Sequence, residues 1–175
     1  MLSVMIEFRE LSLEDKKWMA PLFAKSGFRG SEYSTANLYN WRKVNGTEVA
    51  RFEDFVLLAT EKWGWSYLFP AGEGDLAAAI ELMAADARER GKPFEIHGIV
   101  EEKVALLEEM FPGRFAFEEQ EDYFDYIYTR EKLMNLAGKK LHGKRNHIAR
   151  FKENNPDWSY EPITARNMDE VRQMS

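Results

Sequence analysis

Leu76, Ala79, Ile80, Met83, Ala84 and Ala87 recur at i, i+3, i+4, i+7, i+8 and i+11, a spacing that lays one apolar stripe along a helix. Asp75 stands ahead of the stripe as an N-cap, and Arg88, Arg90 and Gly91 close it with the cations and the C′ glycine of a helix end. Earlier in the chain a short strand is expected over 5–9. Ser12, with Glu14 and Asp15 behind it, then opens a helix running to about Ala24. After a turn at 27–30, Ser34 caps a second short helix that buries Leu38 and Trp41, with Tyr33 and Tyr39 also assigned to the core. Runs rich in β-branched and aromatic residues predict strands at 48–52, 55–60 and 65–69, and Asn45-Gly46 ahead of them is a hairpin signal. A strand at 94–97, a helix at 101–110 and a strand at 115–117 continue the alternation. The segment 122–129, DYFDYIYT, has the strongest strand composition in the chain. The sum is an α/β or α+β domain, a sheet flanked by helices, ending near Thr129.

Beyond a helical stretch closing at Asn154-Asn155-Pro156, a new strand is expected to start at 157–161, and Asn167 with Asp169 and Glu170 opens a new helix. Only Val171 and Met174 of its apolar face are present. A strand and half a helix cannot bury a core of their own, so this end is expected to pack on the first domain or to belong to a missing second one. Length agrees: 175 residues with 45% hydrophobic and 14% aromatic content suit one domain, or one domain and part of another. No apolar run approaches the roughly 20 residues that cross a bilayer, and the start, MLSVMIEFRE, has neither a basic region nor a long apolar region, so a cytoplasmic address is expected. Cysteine is absent and the three histidines lack a ligand spacing, which sets aside disulfides, thiolate chemistry and a metal site.

Charge changes the picture at one place. Residues 138–152, GKKLHGKRNHIARFK, hold six of the 24 Lys and Arg, two of the three His and no acid, in a chain whose formal charge is -6. The segment is thus +6 inside a remainder of -12, and such an island is suited to an anion or a partner. Around a helix, Leu141, Ile148 and Phe151 share one arc with the stem of Lys144, while Lys139, Asn146, His147 and Arg150 gather on another side. The candidate anion-binding set is therefore Lys139, Lys140, Lys144, Arg145, Asn146, His147 and Arg150. The plain alternative is a solvated surface helix whose histidines only pack, or a structural tie. Gly143 argues mildly against it, because an interior glycine costs roughly 1 kcal/mol relative to alanine and is best tolerated where something approaches closely.

Other motifs carry less. PAGEGDL at 70–76 places G-x-G between a strand and a helix, but Glu73 and Asp75 would repel phosphate and no Lys-Ser/Thr follows, so it reads as a turn with Asp75 as cap. There is no G-x-S-x-G elbow. Asp125, inside FDYIY, is the one acid kept as a candidate, against the alternative of a solvent-facing strand residue.

The succession FRGSEYSTANLYNWR, SYLFPAGEGDL, FDYIY and GKKLHGKRNHIARFKENNPDWSYEPIT resembles the phosphatidylglycerol lysyltransferase C-terminal-domain family from about Phe8 onward, with K-x-x-x-K-R-N-H-I its most specific piece. That resemblance implies a likeness to Fem-type aminoacyltransferases, with two tandem GNAT-like halves, each a mixed, largely antiparallel sheet flanked by helices. It further implies an N-terminal GNAT-like domain over 1–129, a basic helical linker over 130–156, and the first strand and helix of an incomplete second domain over 157–175. The missing second half would carry the catalytic pocket, so the catalytic residues are unknown. Unlike GNAT domains, the chain has no Q/R-x-x-G-x-G/A turn opening a helix: Arg88-Glu89-Arg90-Gly91-Lys92-Pro93 begins correctly and ends in Pro, at a helix end. The parent would be an aminoacyl or acyl transferase whose donor is aminoacyl-tRNA or acyl-coenzyme A, with tRNA or an anionic lipid headgroup on the basic helix and a cytoplasmic or membrane-peripheral address. The competing class is a non-catalytic module that grips an anion, RNA or a partner.

Overall fold

Strand β3 (Phe55–Thr60) is central, because FVLLAT offers no polar residue before its last position and both of its faces are covered. The computed structural model describes residues 6–62 and 64–174, and the chain gathers into two compact units that divide between Tyr123 and Phe124. In the first unit β1 (Arg9–Glu10), β2 (Glu48–Phe52), β3, β4 (Ser66–Gly72) and β5 (Ile96–His97) lie side by side in that order. The first four pair antiparallel, and β5 joins β4 in parallel. A parallel neighbour requires a crossover, and the chain runs from β4 to β5 through α3 (Leu76–Glu89). This is a mixed, mostly antiparallel sheet with helices packed on both faces, as the sequence pattern predicts.

The period of two along β3 sorts its side chains. Val56 and Leu58 cluster with Met19, Leu22 and Phe23 of α1 (Lys16–Ser26), whereas Phe55, Leu57 and Ala59 meet Ala79, Met83 and Ala87 of α3. Ile80 of α3 turns to a third cluster with Leu107 of α4 (Glu101–Met110), Phe69 and Phe111. Burying a side chain such as Ile80 or Met83 contributes about 1.5–3 kcal/mol, so the stripe read in the sequence is what seats α3. Asp75 accepts the Ala78 N–H at 2.9 Å and is the expected cap.

Several local expectations need correction. Asn45-Gly46 does not turn a hairpin. It ends α2 (Thr35–Asn45), with Gly46 at φ 59, ψ 46 and the Thr47 N–H on the Arg42 carbonyl at 2.8 Å. A left-handed glycine serves either purpose, and Arg42 and Lys43 in the last turn favour the helix end. The hairpin between β2 and β3 turns at Glu53, φ 50, and Asp54. Trp41 is 53% exposed on the outer side of α2, while Leu38 and Tyr39 face inward. The third strand runs past Phe69 to Gly72, and the register shift between Val56 and Leu58 falls opposite Pro70, which has no N–H to give the ladder. Of the first expected strand only Arg9 lies in β1, and its Met5 end falls outside the described residues. No ladder forms at 115–117, where Phe115 packs its ring against Phe94, Phe111 and Phe117. None forms at 122–129 either: a 3-10 turn covers Glu121–Tyr123, and the backbone beyond it is unpaired. Strand propensity is realised only against a neighbouring strand and a packed face.

Two features hold the first unit locally. Ser12 opens a 3-10 turn, Leu13–Asp15, that feeds α1, and the Asp15 carboxylate is 3% exposed. It accepts Arg9 Nη2 at 2.5 Å and Nη1 at 2.9 Å, the Ser12 N–H at 2.7 Å and hydroxyl at 2.9 Å, and Trp18 Nε1 at 2.8 Å. The Arg9 hydrogen bond, more than offsetting burial and assisted by Trp18 and Ser12, holds this carboxyl well below the usual carboxylate range. At the far end of β4, Gly72 has φ +145, and a Cβ there would stand 1.9 Å from the Asp54 carbonyl oxygen.

The second unit contains α5 (Arg130–Asn135), a 3-10 turn Lys139–Leu141, α6 (His142–Asn154) and α7 (Met168–Met174). No described residue in it is buried, so its aliphatic and aromatic side chains build no closed core of their own. Asn167 starts α7 as expected, accepting the Thr164 N–H at 2.7 Å and donating to the Pro162 carbonyl at 3.1 Å. The strand expected at 157–161 is absent. The Trp158 N–H instead closes a turn on the Asn155 carbonyl, and its ring meets Phe151 with centroids 6.2 Å apart.

Candidate anion-binding helix

The basic segment folds into the 3-10 turn and α6, and a short chain of caps leads into it. Thr129 accepts the Lys132 N–H at 3.2 Å and starts α5, which ends on Leu136 in the left-handed conformation, φ 45, ψ 34. A leucine there is uncommon and strained. Arg145, one helical turn into α6, donates to the Leu136 carbonyl and, at 3.0 Å, to the Gly138 carbonyl. Its other terminal nitrogen lies 3.4 Å from His142 Nδ1, and the Asn146 amide lies 3.2 Å from His142 Nε2. A guanidinium only donates, so in its contact with Arg145 the His142 Nδ1 is the acceptor. Arg145 thus folds back to brace the turn between α5 and α6. Nothing in the residue types alone announces this, since it depends on the conformation of Leu136.

The seven candidates therefore separate by their engagement. Arg145 and, through His142, Asn146 have partners inside the segment. The side chains of Lys139, Lys140, Lys144, His147 and Arg150 make no hydrogen bond or ion pair with any described residue, and all are exposed. Lys152 lies over the Trp158 ring at 5.7 Å. On the neighbouring arc Leu141 is half-buried, whereas Ile148 and Phe151 are exposed. Residues 124–175 carry ten Lys and Arg against seven Asp and Glu, a net of +3, and the residues before them carry -9. Asp125 is exposed and remote in sequence from these cations.

Replacing Arg145 with Ala removes both carbonyl hydrogen bonds and leaves the left-handed Leu136 unsupported. Hydrogen exchange of the amides at 136–145 is expected to speed up about tenfold, with exchange in β3 and α3 unchanged. Unaltered exchange at 136–145 would refute the brace.

A mixed α/β sheet unit is followed by a helical unit that carries the basic segment 138–152. The chain belongs to the family of the phosphatidylglycerol lysyltransferase C-terminal region, whose model matches residues 23–175. It is also similar, at 36% identity and with a TM-score of 0.77, to the crystal structure of a conserved protein of unknown function from Bacteroides thetaiotaomicron. That match covers 97% of this chain and 58% of the other, so the chain spans little more than half the length of that protein. None of the curated proteins compared matches the chain. Among the described residues no helix is long and apolar enough to cross a membrane.

Proposed function

We propose that this chain is the N-terminal part of an aminoacyl or acyl transferase of the phosphatidylglycerol lysyltransferase C-terminal type, and that its basic helix binds a phosphate-bearing donor or lipid. Membership of the family supports the reaction class. The observation that carries the binding role is the set of five polar side chains, Lys139, Lys140, Lys144, His147 and Arg150, held exposed on one short segment, 138–152, that contains no acid and in which none of the five has a side-chain hydrogen bond or ion pair with a described residue. In this reading 1–129 is a GNAT-like domain, 130–156 a basic linker and 157–175 the opening of a second domain, with the catalytic pocket in the second half of the parent. The donor is an aminoacyl-tRNA or acyl-coenzyme A, whose phosphates the remainder of the chain, at -12, repels.

The test is a salt titration of binding by the 175-residue chain to tRNA, phosphatidylglycerol vesicles and coenzyme A. The double variant K139A/R150A removes two cations that brace nothing. If nucleic acid is the ligand, the slope of log affinity against log salt should flatten by about 0.7 for each phosphate that is no longer neutralised, with affinity falling at least about tenfold at low salt. Binding equal to wild type for all three ligands would leave the structural-tie reading in its place. Transfer by the full-length parent identifies a transferase, whereas binding with no turnover by that parent identifies a non-catalytic module.

A further inference from the structure

Between the start of α1 and the start of α2 the first unit leaves a cleft of about 150 Å³. Its walls are Leu11, Leu13, Ala36 and Tyr39, while Lys16, Thr35 and Asn40 bring polar atoms to it. A space of that size takes one benzene-sized ring. The Arg42 guanidinium stacks 3.8 Å from the Tyr39 ring centroid and steadies that wall. Charge around the cleft is unbalanced. Glu14 is paired with Lys17, Glu10 with Arg42 at 3.6 Å, and Asp15 with Arg9, whereas the exposed side chain of Lys16 has no hydrogen bond or ion pair with a described residue. Lys43, seven residues after Ala36 on the same face of α2, is exposed in the same way.

One segment has the opposite character. Residues 118–125, EEQEDYFD, carry five acids and no cation, and they lead into Tyr126, which is 89% exposed on backbone that no strand pairs. We propose that two copies of this chain associate by exchange: the Tyr126 ring of each enters the cleft of the other, the Asp125 carboxylate meets Lys16, and the acids before it face Lys43. Tyrosine suits the lining, since its ring meets Leu11, Leu13 and Ala36 while its hydroxyl finds a partner in Thr35 or Asn40. An aromatic anchor seated in a small apolar pocket, with charge matched at the rim, is the usual make-up of a specific interface. The contact is reciprocal, so it closes on a pair of chains rather than growing into a filament. It uses none of the anion-binding residues of the basic segment and stands apart from that reading.

Analytical ultracentrifugation of the 175-residue chain over the micromolar range is expected to show a monomer–dimer equilibrium. K16E and D125K each place like charges in both contacts and should raise the dimer dissociation constant at least about thirtyfold, as should Y126A, which removes the anchor. None of them should unfold, which thermal melts check: an acid at the first residue of α1 suits a helix N-terminus, and positions 125 and 126 are exposed. The decisive sample is K16E mixed with D125K in equal amounts. It should dimerise as wild type does, because one of the two contacts is then native and the other has both charges exchanged. A wild type that stays monomeric throughout, or a dimer indifferent to K16E, D125K and Y126A, overturns the proposal. So does a K16E and D125K mixture that stays monomeric, for then the lysine and the carboxylate do not meet across two chains.

Discussion

Replacing Asp15 with Ala is expected to lower the stability of the first unit by about 2–4 kcal/mol, among the largest effects of any single polar side chain in it. The change strands the Ser12 N–H and the Trp18 indole N–H and releases Arg9, whose side chain is 54% exposed and recovers water, which keeps the figure below that of a fully buried pair. The pH dependence follows from the direction of the shift. Asp15 is depressed in the folded protein, so its stabilisation is fully present above the unfolded carboxyl value, about 3.9, and is lost as pH falls from there toward the folded value. Urea melts of wild type and D15A should therefore differ most at pH 5–7, by an amount that shrinks toward pH 3. D15N, which keeps the shape without the charge, should recover part of the loss at neutral pH. A gap between wild type and D15A that stays constant from pH 7 to pH 3 would contradict this account.

Gly72 to Ala should be more damaging still. The new Cβ would stand 1.9 Å from the Asp54 carbonyl oxygen, and the backbone at φ +145 is a region that L side chains rarely adopt. Both obstacles are backbone, one in the β2–β3 turn and one at the end of β4, which the β3–β4 ladder holds beside it, so no side-chain rotation relieves them. A loss above about 4 kcal/mol is expected, enough to leave little folded protein, since whole domains are stable by about 5–15 kcal/mol. Solubility and a thermal melt of G72A measure it, and a melting temperature within a few degrees of wild type would falsify the geometry at this position. The same substitution at Gly143 should leave the fold intact. The two glycines together separate a residue required by the chain from one that the chain does not need.

How far the sequence could be read depended on whether a signal was local. The α3 stripe and the runs at 48–52 and 55–60 matched their elements to the residue, because their periodicity fits the surfaces that cover them. Asn45-Gly46 was ambiguous in principle, since one backbone conformation serves a hairpin and a helix end alike. The FDYIY run misled because composition reports a preference for pairing and says nothing of whether a partner strand is present. In the basic segment the concentration of charge was legible, and so was the oddity of Gly143. The role of Arg145 was not, because it answers a left-handed leucine that no sequence rule announces.

The unpaired run from Tyr123 to Tyr128 has one more consequence. Tyr123, Phe124, Tyr126 and Ile127 are 69%, 57%, 89% and 92% exposed, and a stretch so rich in β-formers is the kind that recruits copies of itself into intermolecular sheets. Asp125 divides it into two short apolar pieces, and Asp122 and Arg130 bracket the whole. An ionised carboxylate within a window of five to seven residues is the usual gatekeeper against such stacking, because each added copy would bring like charges into register. The acid retained above as a candidate for chemistry thus also breaks the run into pieces whose stacking would bring like charges together.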